Sequence, residues 1–166
     1  MSWQVYVDVR NCFKEGYAPL NFYVKEDFDC ASTRGTGSAK TISNYELVLM
    51  AQSRAKSRGF SDVLYLDSVN KKNLEEISSC NIFIAMGKII STPVIDGTIL
   101  SDITRKSVIE LASDLGYLGD EHVVAVDELI EADEVFCTGT VVGFALVGSI
   151  TYQNRRFHVL GHNRLN

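Results

Sequence analysis

The sequence predicts an α+β fold built around one curved mixed sheet, and three observations support that prediction. Strand-like and helix-like segments are mixed along the chain without the strict alternation of a wholly parallel α/β sheet. The apolar fraction of 46% and the charged fraction of 22% are typical of a globular domain. The length of 166 residues is sufficient to bury a hydrophobic core. Disorder, collagen and coiled coil are therefore excluded as descriptions of the whole chain.

The first forty residues are predicted to form two strands and a loop. Residues 3–9 and residues 20–24 alternate apolar and polar side chains with the period of two that a half-buried strand shows. Residues 31–39 (ASTRGTGSA) then change to small and polar types. This composition favours a shaped loop over a regular element.

Two long helices are predicted from their capping residues and their glycine stops. Ser43 and Glu46 have the spacing of a capping box, and Gly59 ends the first helix. Ser101 is the predicted cap of the second helix, which Gly116 ends. The predicted buried faces consist of Leu47, Val48, Ala51 and Ala55 in the first helix and of Thr104, Val108, Leu111, Ala112 and Leu115 in the second.

The remaining segments are predicted to be strands, with one short helix among them. Residues 63–66 form a nearly all-apolar strand, and residues 81–90 have the pattern of a hairpin with its turn at Gly87. Asp127 is the predicted cap of a short helix that runs through Ala132. Four further strands are expected at residues 122–126, 135–137, 141–147 and 150–152.

Charge and hydropathy exclude several classes of protein. Sixteen basic and twenty-one acidic residues give a net charge of −5, which argues against nucleic-acid binding, because such proteins present a basic face to phosphates. No apolar run approaches the roughly 18 residues of a membrane span, and the amino terminus shows no leader. We therefore expect an intracellular protein, cytoplasmic as written, with an organelle left open. The cysteines have no CxxC or zinc-ligand spacing and are expected to be reduced: Cys12, Cys30, Cys80 and Cys137.

Lys40 is the residue on which the functional interpretation depends. The motifs GxSxG, GxGxxG, HExxH and the P-loop do not occur, which weakens hydride-transfer and metallohydrolase interpretations. Lys40 ends the glycine-containing loop and directly precedes the first helix. A lysine that forms a Schiff base needs such a rigid, partly desolvated position, although composition alone favours a solvated surface lysine.

Residues 40–45 (KTISNY) resemble the lysine motif of branched-chain aminotransferases, the fold-type-IV enzymes that use pyridoxal 5′-phosphate. Further blocks occur in the family's order, so the resemblance covers about residues 11–153 and is greatest to the plant branch. It implies a D-amino-acid-aminotransferase-like large domain, a curved mixed sheet or pseudo-barrel with two main helices. The further blocks are residues 13–21 (FKEGYAPLN), 74–83 (LEEISSCNIF), 97–100 (GTIL), 103–107 (ITRKS) and 134–140 (EVFCTGT).

The resemblance also implies a domain organisation. Residues 1–40 correspond to an interdomain-type segment leading to the lysine loop, residues 41–153 to the cofactor-binding carboxyl-terminal domain, and residues 154–166 to a divergent tail. The family's amino-terminal domain, which carries the arginine that anchors the cofactor phosphate, is expected to be missing from the chain. Its removal is expected to expose an apolar face.

The resemblance implies a role for each of three residues at the cofactor ring. Lys40 corresponds to the catalytic lysine, which holds the cofactor's aldehyde and then moves a proton from the substrate. Glu76 corresponds to the acid that pairs with the pyridine nitrogen, and Tyr45 to the tyrosine that bonds the phenolic oxygen. Taken without the family, Glu76 is an ordinary exposed acid and Tyr45 a core aromatic residue.

Residues at the phosphate end have a physical rationale besides the resemblance. Ile103 and Thr104 lie in the first turn of the second predicted helix, where free N–H groups and the helix dipole attract an anion. Thr140 corresponds to a second phosphate ligand, although an ordinary capped helix and a tight strand connection would look the same. Ser79 and Val141 correspond to positions that line the substrate side of the family's pocket.

The sequence departs from the family at several of these positions. Cys12 stands where relatives have a tyrosine in the substrate pocket, and Arg34 replaces a loop glycine before the lysine motif. Ser101 and Asp102 replace a proline and a glycine at the helix that binds the phosphate.

Two hypotheses of different classes follow for the function. The first is transfer of the amino group of leucine, isoleucine or valine to 2-oxoglutarate, with branched-chain amino acids and 2-oxo acids as ligands and a homodimer as the assembly. The second is a catalytically impaired, truncated homologue that acts as a binding or interaction module, associated with full-length relatives. An aminodeoxychorismate lyase fits the pair of Lys40 and Glu76 but does not fit the block at residues 11–21. Neither nucleic acid nor a membrane is expected as a partner.

Overall fold

The computed structural model of the chain describes residues 19–25, 42–95, 97–140 and 142–159, and of residues 42–47 it describes the backbone alone. The predicted strand at residues 3–9 and the predicted loop at residues 31–39 lie outside these ranges. The elements are, in chain order, β1 (Leu20–Lys25), α1 (Ile42–Ser57), β2 (Asp62–Leu66), β3 (Leu74–Ile77), β4 (Asn81–Met86), β5 (Ile89–Pro93), α2 (Ile103–Asp114), β6 (Leu118–His122), α3 (Val126–Glu131), β7 (Glu134–Gly139), β8 (Gly143–Tyr152) and β9 (Arg155–His158).

All strands of the described ranges join one mixed sheet. Its order is β3-β2-β1-β8-β7-β4-β5-β6, and β9 pairs with β8 beside this path. β1 runs parallel to both β2 and β8, and β5 runs parallel to β6, whereas the other pairs are antiparallel. The sheet curls into a half-barrel, so the predicted α+β fold with a curved mixed sheet is confirmed.

β8 connects the two halves of this sheet. Its first half pairs with β7, for example at Phe144 opposite Thr138. Its second half pairs with β1 along one edge and with β9 along the other, so that Ile150 lies between Phe22 and Phe157. The expectation of separate strands at residues 141–147 and 150–152 was therefore wrong. Neighbouring strands on both edges keep the chain extended through residues 148 and 149, where the sequence predicts an interruption.

Gly148 is required where β1 approaches β8. A Cβ atom at this position would lie 2.7 Å from Cβ of Pro19, closer than two non-bonded carbon atoms can approach. The glycine that looks like a strand breaker in the sequence is therefore a packing requirement of a continuous strand.

Strand β2 is covered on both faces of the sheet. On one face, Val48, Ala51 and Ala55 of α1 pack against Val63 and Tyr65 of β2. The alternate residues of β2 face the main core, so both faces of this strand are buried, which explains why residues 63–66 are continuously apolar. The main core includes Phe22, Val24, Leu64, Leu66, Leu74, Ile77, Ile82, Ile84, Val126, Leu129, Val135, Val147 and Ile150.

The predicted helix stops are confirmed, but the predicted starts are shifted. Gly59 and Gly116 follow α1 and α2 with φ angles of +85° and +81°. α1 begins at Ile42, so Ser43 lies inside the helix rather than at its cap. α2 is capped by Asp102 instead of Ser101, since an oxygen of Asp102 accepts the N–H of Thr104.

α3 also starts earlier than the sequence predicts. Ala125 is its N-cap, and the carboxylate of Glu128 reaches back to accept the Ala125 N–H at 2.9 Å. Asp127, the predicted cap, lies in the first turn. The expectation of a strand at residues 122–126 was wrong: the strand there, β6, covers Leu118–His122, and Val126 already belongs to α3.

The buried stripe predicted for α2 was largely wrong. Leu111 is 57% exposed and Leu115 is 67% exposed, whereas Arg105 and Ala112 are buried. α2 packs on the edge strand β6 with the neighbouring helix face that contains Ile109. A Cβ atom added at Gly119 of β6 would lie 3.1 Å from Cγ2 of Ile109. An edge strand covers less of a helix than the centre of a sheet does, so the leucines stay outside.

β3 was not predicted at all. Its two central residues, Glu75 and Glu76, are poor strand formers that the sequence pattern assigns to the surface. Both side chains are nevertheless buried, one on each face of the sheet, because successive side chains of a paired strand point to opposite faces.

The side chain of Arg105 joins α2 to β5 and β6. Only 2% of this residue is exposed. Its Nη2 donates hydrogen bonds to the carbonyl oxygen of Pro93 at 2.9 Å and to Oε2 of Glu121 at 2.6 Å. Glu121 itself is exposed at the edge of the sheet. The two residues thus differ in their access to water, although they share one ion pair.

We expect this difference to make the pair asymmetric to mutation. Glu121→Gln leaves the Arg105 cation buried without its counter-charge, and we expect it to lower the free energy of unfolding by about 1.5–3 kcal/mol, the contribution of a hydrogen bond to a charged group. Arg105→Met retains most of the volume and leaves a carboxylate that water can solvate, so its cost should be smaller. Urea unfolding measures both variants, with Glu110→Gln on the exposed face of α2 as control. Equal effects of Glu121→Gln and Glu110→Gln would contradict this prediction.

Glu128 is expected to make stability depend on pH. Burial opposes ionisation of Glu128, but the Ala125 N–H and His122 outweigh it and lower the pKa of Glu128 below its ordinary value of 4.5. A lowered folded-state pKa contributes stability above pH 4.5 that is lost as pH falls through the folded-state pKa. We expect Glu128→Gln to lower stability at pH 7 by roughly 0.5–1 kcal/mol, given the exposure of the pair.

The difference between the wild type and Glu128→Gln should shrink below pH 4.5 in urea titrations at several pH values. Glu131→Gln, at the exposed end of α3, is the control and should follow the wild type at every pH. A pH-independent difference would show that the contribution of Glu128 does not come from its charge.

Candidate functional site

Three segments that are distant in the sequence enclose a cavity of about 400 Å³. They are the turn between β3 and β4, the segment that leads into α2, and the connection between β7 and β8. The described residues that line the cavity are Glu76, Ser78, Ser79, Cys80, Asn81, Leu100, Ser101, Asp102, Thr140 and Val142.

The turn between β3 and β4 forms one wall of the cavity. Ile77 and Cys80 bond each other's backbone, with N···O distances of 2.9 and 3.3 Å, and this leaves Ser78 and Ser79 at the tip. The hydroxyl of Ser78 donates to Asp62 at 2.6 Å, which ties the turn to the start of β2. Both serines are therefore held by a tight hairpin rather than by a long loop.

Gly139 brings the end of β7 against this turn. An ideal Cβ at Gly139 would lie 3.0 Å from the carbonyl oxygen of Ser79 and 3.3 Å from the sulfur of Cys80. Only a residue without a side chain permits this approach without displacement of the turn. The approach places Thr140, the next residue, at the cavity.

Glu76 is 8% exposed and lines the cavity. Its Oε2 accepts the backbone N–H of Leu100 at 3.4 Å, and the amide of Asn81 donates to the carbonyl of Leu100 at 3.3 Å. The segment before α2 is thus held by side chains from both β3 and β4. This arrangement fixes where the helix begins.

The residues before the amino terminus of α2, Ser101 and Asp102, also line the cavity. Oδ1 of Asp102 accepts the N–H of Thr104 at 3.2 Å and the hydroxyl of Thr140 at 3.4 Å. Ile103 is 81% exposed and is not among the described lining residues. A carboxylate is a favourable partner for the positive end of a helix dipole.

The charge of the cavity is acidic in the part of the chain that the structure describes. Its lining residues there include the carboxylates Glu76 and Asp102 but no lysine or arginine. Arg105 lies in the first turn of α2, yet its guanidinium pairs with Glu121. The described wall therefore offers hydrogen-bond donors to an anion but no full positive charge.

The thiols of Cys80 and Cys137 are hydrogen-bonded to each other beside the cavity. A hydrogen bond from Cys137 lowers the pKa of Cys80 below its ordinary value of 9.0, against the opposing effect of burial. The same contact, together with burial, raises the pKa of Cys137. The oxygen of Ser79 lies 3.6 Å from the Cys80 sulfur. Cys80 is therefore the more acidic thiol, and it lines the cavity.

The structure brings together three of the residues that the sequence singles out. Glu76, Ser79 and Thr140 line the same cavity, and Thr104 reaches it through its N–H bond to Asp102. The backbone of Tyr45 lies in α1, whose side chains before Val48 are not described. Lys40 and Val141 lie outside the described residues.

Asp102, Asn81 and Cys80 are site residues to which the sequence analysis gave no role. Asp102 had a usable signal, because an aspartate directly before a helical segment is a strong N-cap candidate. Asn81 and Cys80 had none, since their position at the cavity depends on pairing between β4 and β7.

A second cavity, of about 320 Å³, lies between β1 and α1 and contains none of the sequence-predicted site residues. Its basic side chains are Lys25, Arg54 and Arg58. The guanidinium of Arg58 stacks on the ring of Tyr23 at 4.6 Å from the ring centroid, which gives it a structural role. The cavity at the start of α2 is therefore the better candidate site.

The described residues contain neither a metal-ligand cluster nor a membrane-spanning helix. Within those ranges, no group of three histidine, cysteine or acidic side chains is placed to hold a metal ion. In the same part of the chain, none of the helices has the length and apolar character needed to cross a membrane.

Comparisons with known proteins agree with these observations. The family model described as amino-transferase class IV matches residues 20–150. Over 148 residues, the chain is 64% identical to "Branched-chain amino acid aminotransferase 1, mitochondrial" of Humulus lupulus and 63% identical to "Branched-chain-amino-acid aminotransferase 2, chloroplastic" of Arabidopsis thaliana. Each alignment covers 89% of this chain and 38% of the relative, so the chain spans well under half the length of these relatives.

A similar fold occurs among solved structures. The branched-chain amino acid aminotransferase from Escherichia coli matches with a TM-score of 0.76 at 28% sequence identity. This match covers 86% of the chain and 46% of the bacterial protein.

The acidity of Cys80 leads to a testable difference in thiol reactivity. We expect iodoacetamide to alkylate Cys80 faster than Cys137 at pH 7.5, because the thiolate is the reactive form. Cys137→Ala removes the donor and should slow alkylation of Cys80 by roughly tenfold for each unit of pKa regained. Mass spectrometry of the two cysteine-containing peptides measures both rates.

Cys137→Ser is the matched control, since its hydroxyl retains a donor at the same place. It should preserve more of the Cys80 reactivity than Cys137→Ala does. Equal rates in the two variants would contradict the role given to the hydrogen bond.

Proposed function

The chain belongs to the amino-transferase class IV family, and from that premise we propose that it is the carboxyl-terminal, cofactor-binding part of a pyridoxal-phosphate-dependent branched-chain aminotransferase. The reaction would transfer the amino group of leucine, isoleucine or valine to 2-oxoglutarate. The observation that carries the proposal is the 64% and 63% identity to relatives that are named branched-chain amino acid aminotransferases. The same relatives are more than twice as long as the aligned segment, so the activity of the whole enzyme is part of the proposal.

The described residues fit the two ends of the cofactor. At the ring end, the buried carboxylate of Glu76 has the charge that a protonated pyridine nitrogen requires. At the phosphate end, the Thr104 N–H and the Thr140 hydroxyl are donors at a helix terminus, the kind of group that binds phosphate. The Asp102 carboxylate accepts hydrogen bonds from the same two donors. Its negative charge opposes the binding of an anion at the site.

The roles of the chain's own residues follow from this arrangement. The cofactor, when bound, supplies the electron sink that stabilises negative charge on the substrate's α-carbon. Lys40 would hold the cofactor covalently and move the proton at that carbon. Glu76 would keep the ring nitrogen protonated, and Tyr45 would donate to the phenolic oxygen.

The remaining site residues would serve orientation. Thr140, with the backbone of Ile103 and Thr104, would bind the phosphate and fix the cofactor. Ser79 and Val141 would border the substrate carboxylate. Ser79 suits this use, because the tight turn between β3 and β4 holds it in place.

The domain organisation expected from the sequence is retained in the proposal. Residues 41–153 would form the cofactor-binding domain, preceded by the interdomain-type segment of residues 1–40 and followed by the divergent tail of residues 154–166. Residues 155–158 of this tail form β9, which pairs with β8. The assembly would be a homodimer or a complex with full-length relatives, in an intracellular compartment.

A catalytically impaired binding module is the second candidate function. The observation that favours it is the acidic wall, which has two carboxylates and no basic side chain among its described residues. Phosphate-bearing ligands lose charge-assisted hydrogen bonds in such a site, each worth about 1.5–3 kcal/mol. Turnover distinguishes the two candidates.

The proposed function predicts a cofactor spectrum that depends on Lys40. Titration of the purified protein with pyridoxal 5′-phosphate should give an absorbance band at about 410 nm, which arises from the covalent link to a lysine. Lys40→Ala should abolish the band, and Lys56→Ala, on the exposed end of α1, should retain it. Glutamate formation from leucine and 2-oxoglutarate measures turnover in the same samples.

The possible outcomes separate the candidates. A Lys40-dependent band with turnover supports the aminotransferase. A Lys40-dependent band without turnover supports the impaired module. No band at saturating cofactor, in protein that circular dichroism shows to be folded, would contradict both assignments of cofactor binding.

A further inference from the structure

We propose that Asp102 is an internal anion that competes with a ligand's phosphate for the amino terminus of α2, and that it thereby weakens the preference of the site for phosphorylated over non-phosphorylated cofactor. The inference rests on the proposed function, because it concerns the same cavity and the same cofactor class. It adds a residue that opposes binding to the residues that favour it.

Asp102 uses the hydrogen-bond donors that a phosphate would need. One oxygen of its carboxylate accepts both the Thr104 N–H and the Thr140 hydroxyl, at 3.2 and 3.4 Å. The two donors come from different elements, α2 and the connection between β7 and β8. A phosphate oxygen that binds both donors would have to occupy the position of the carboxylate oxygen. Binding therefore requires Asp102 to turn away from both donors.

The charges around the helix terminus also oppose the binding of a phosphate. A helix terminus carries about half a positive charge, which a single carboxylate already offsets. A phosphate dianion at the same place would meet the charge of Asp102 at short range and the charge of Glu76 in the same cavity. Among the described lining residues, none is a lysine or an arginine that could compensate. Arg105 lies in the same turn of the helix, but Glu121 and the carbonyl of Pro93 take its guanidinium.

The backbone at Asp102 is held in the conformation of a capping residue. Its backbone is extended, with φ −95° and ψ 143°, as expected for a capping residue. Leu100, two residues before it, is bonded through its N–H to Glu76 and through its carbonyl to Asn81. The chain is therefore held on both sides of the carboxylate, so displacement of the side chain by a phosphate disrupts an arrangement that the fold already favours.

The test compares two ligands that differ only in the phosphate, pyridoxal 5′-phosphate and pyridoxal. Asp102→Asn removes the charge and keeps the shape and a capping oxygen, and Asp102→Ser is a second variant with a good N-cap residue. Asp114→Asn, at the exposed carboxyl end of the same helix, is the matched control for charge. Equilibrium dialysis at constant ionic strength gives each dissociation constant without dependence on turnover, and circular dichroism verifies the fold.

We expect Asp102→Asn and Asp102→Ser to bind pyridoxal 5′-phosphate at least about tenfold more tightly than the wild type, because removal of a like charge at short range removes a repulsion of at least this size. Their affinity for pyridoxal should change by less than about twofold, since this ligand places no charge at the helix terminus. The Asp114→Asn control should bind both ligands as the wild type does.

The other outcomes overturn the inference in distinguishable ways. If the Asp102 variants and the wild type show the same ratio of the two dissociation constants, the inference is wrong while the proposed cofactor site stands. If both ligands gain affinity equally, Asp102 acts on the shape of the cavity and not as a competing anion. If no variant binds either ligand, the proposed function fails, and the inference fails with it.

Discussion

The backbone pairing of β8 with β7 on one side and with β1 and β9 further along is the interaction on which the rest of the structure depends. It joins the β3-β2-β1 half of the sheet to the β7-β4-β5-β6 half. The turn that connects β7 with β8 also carries Thr140 to the cavity, so the same hairpin that closes the sheet builds one wall of the site. Gly139 permits the close approach to the Ser79 turn, and Gly148 permits the approach to Pro19. The fold and the site are therefore products of one set of strand contacts.

The cavity combines a rigid frame with an unfavourable charge balance. Its frame is made of a tight turn, two strand ends and a capped helix, each fixed by backbone hydrogen bonds. Its described wall contributes hydroxyl and N–H donors together with two carboxylates. In the proposed enzyme, Glu76 would suit the cationic ring nitrogen of a pyridoxal cofactor, whereas Asp102 would oppose the phosphate of the same molecule. The two carboxylates would thus have opposite effects on the binding of that cofactor.

Membership of the class IV family and the length of the chain must be considered together. The chain matches the family model over residues 20–150 but covers 38% of the plant relatives. A half-barrel whose exposed residues include Phe144 and Leu146 on β8 presents apolar surface beside the site. In the proposed enzyme, a further part of the protein would have to cover that surface. It would also have to supply the positive charge that the described lining residues lack. The physical deficits of the described domain thus agree with its being a portion of an active unit.

The sequence by itself determined the features that depend on neighbouring residues. Period-two alternation predicted β1, the continuous apolar run predicted β2, and the glycines at positions 59 and 116 marked the helix ends, because each signal acts within a few residues. The motif blocks identified the family and selected Glu76, Ser79 and Thr140, but not their arrangement. The tertiary structure decided that Arg105 is buried while Leu111 is exposed and that β3 forms through two glutamates. These outcomes depend on pairing between strands far apart in the chain, which a local pattern does not encode.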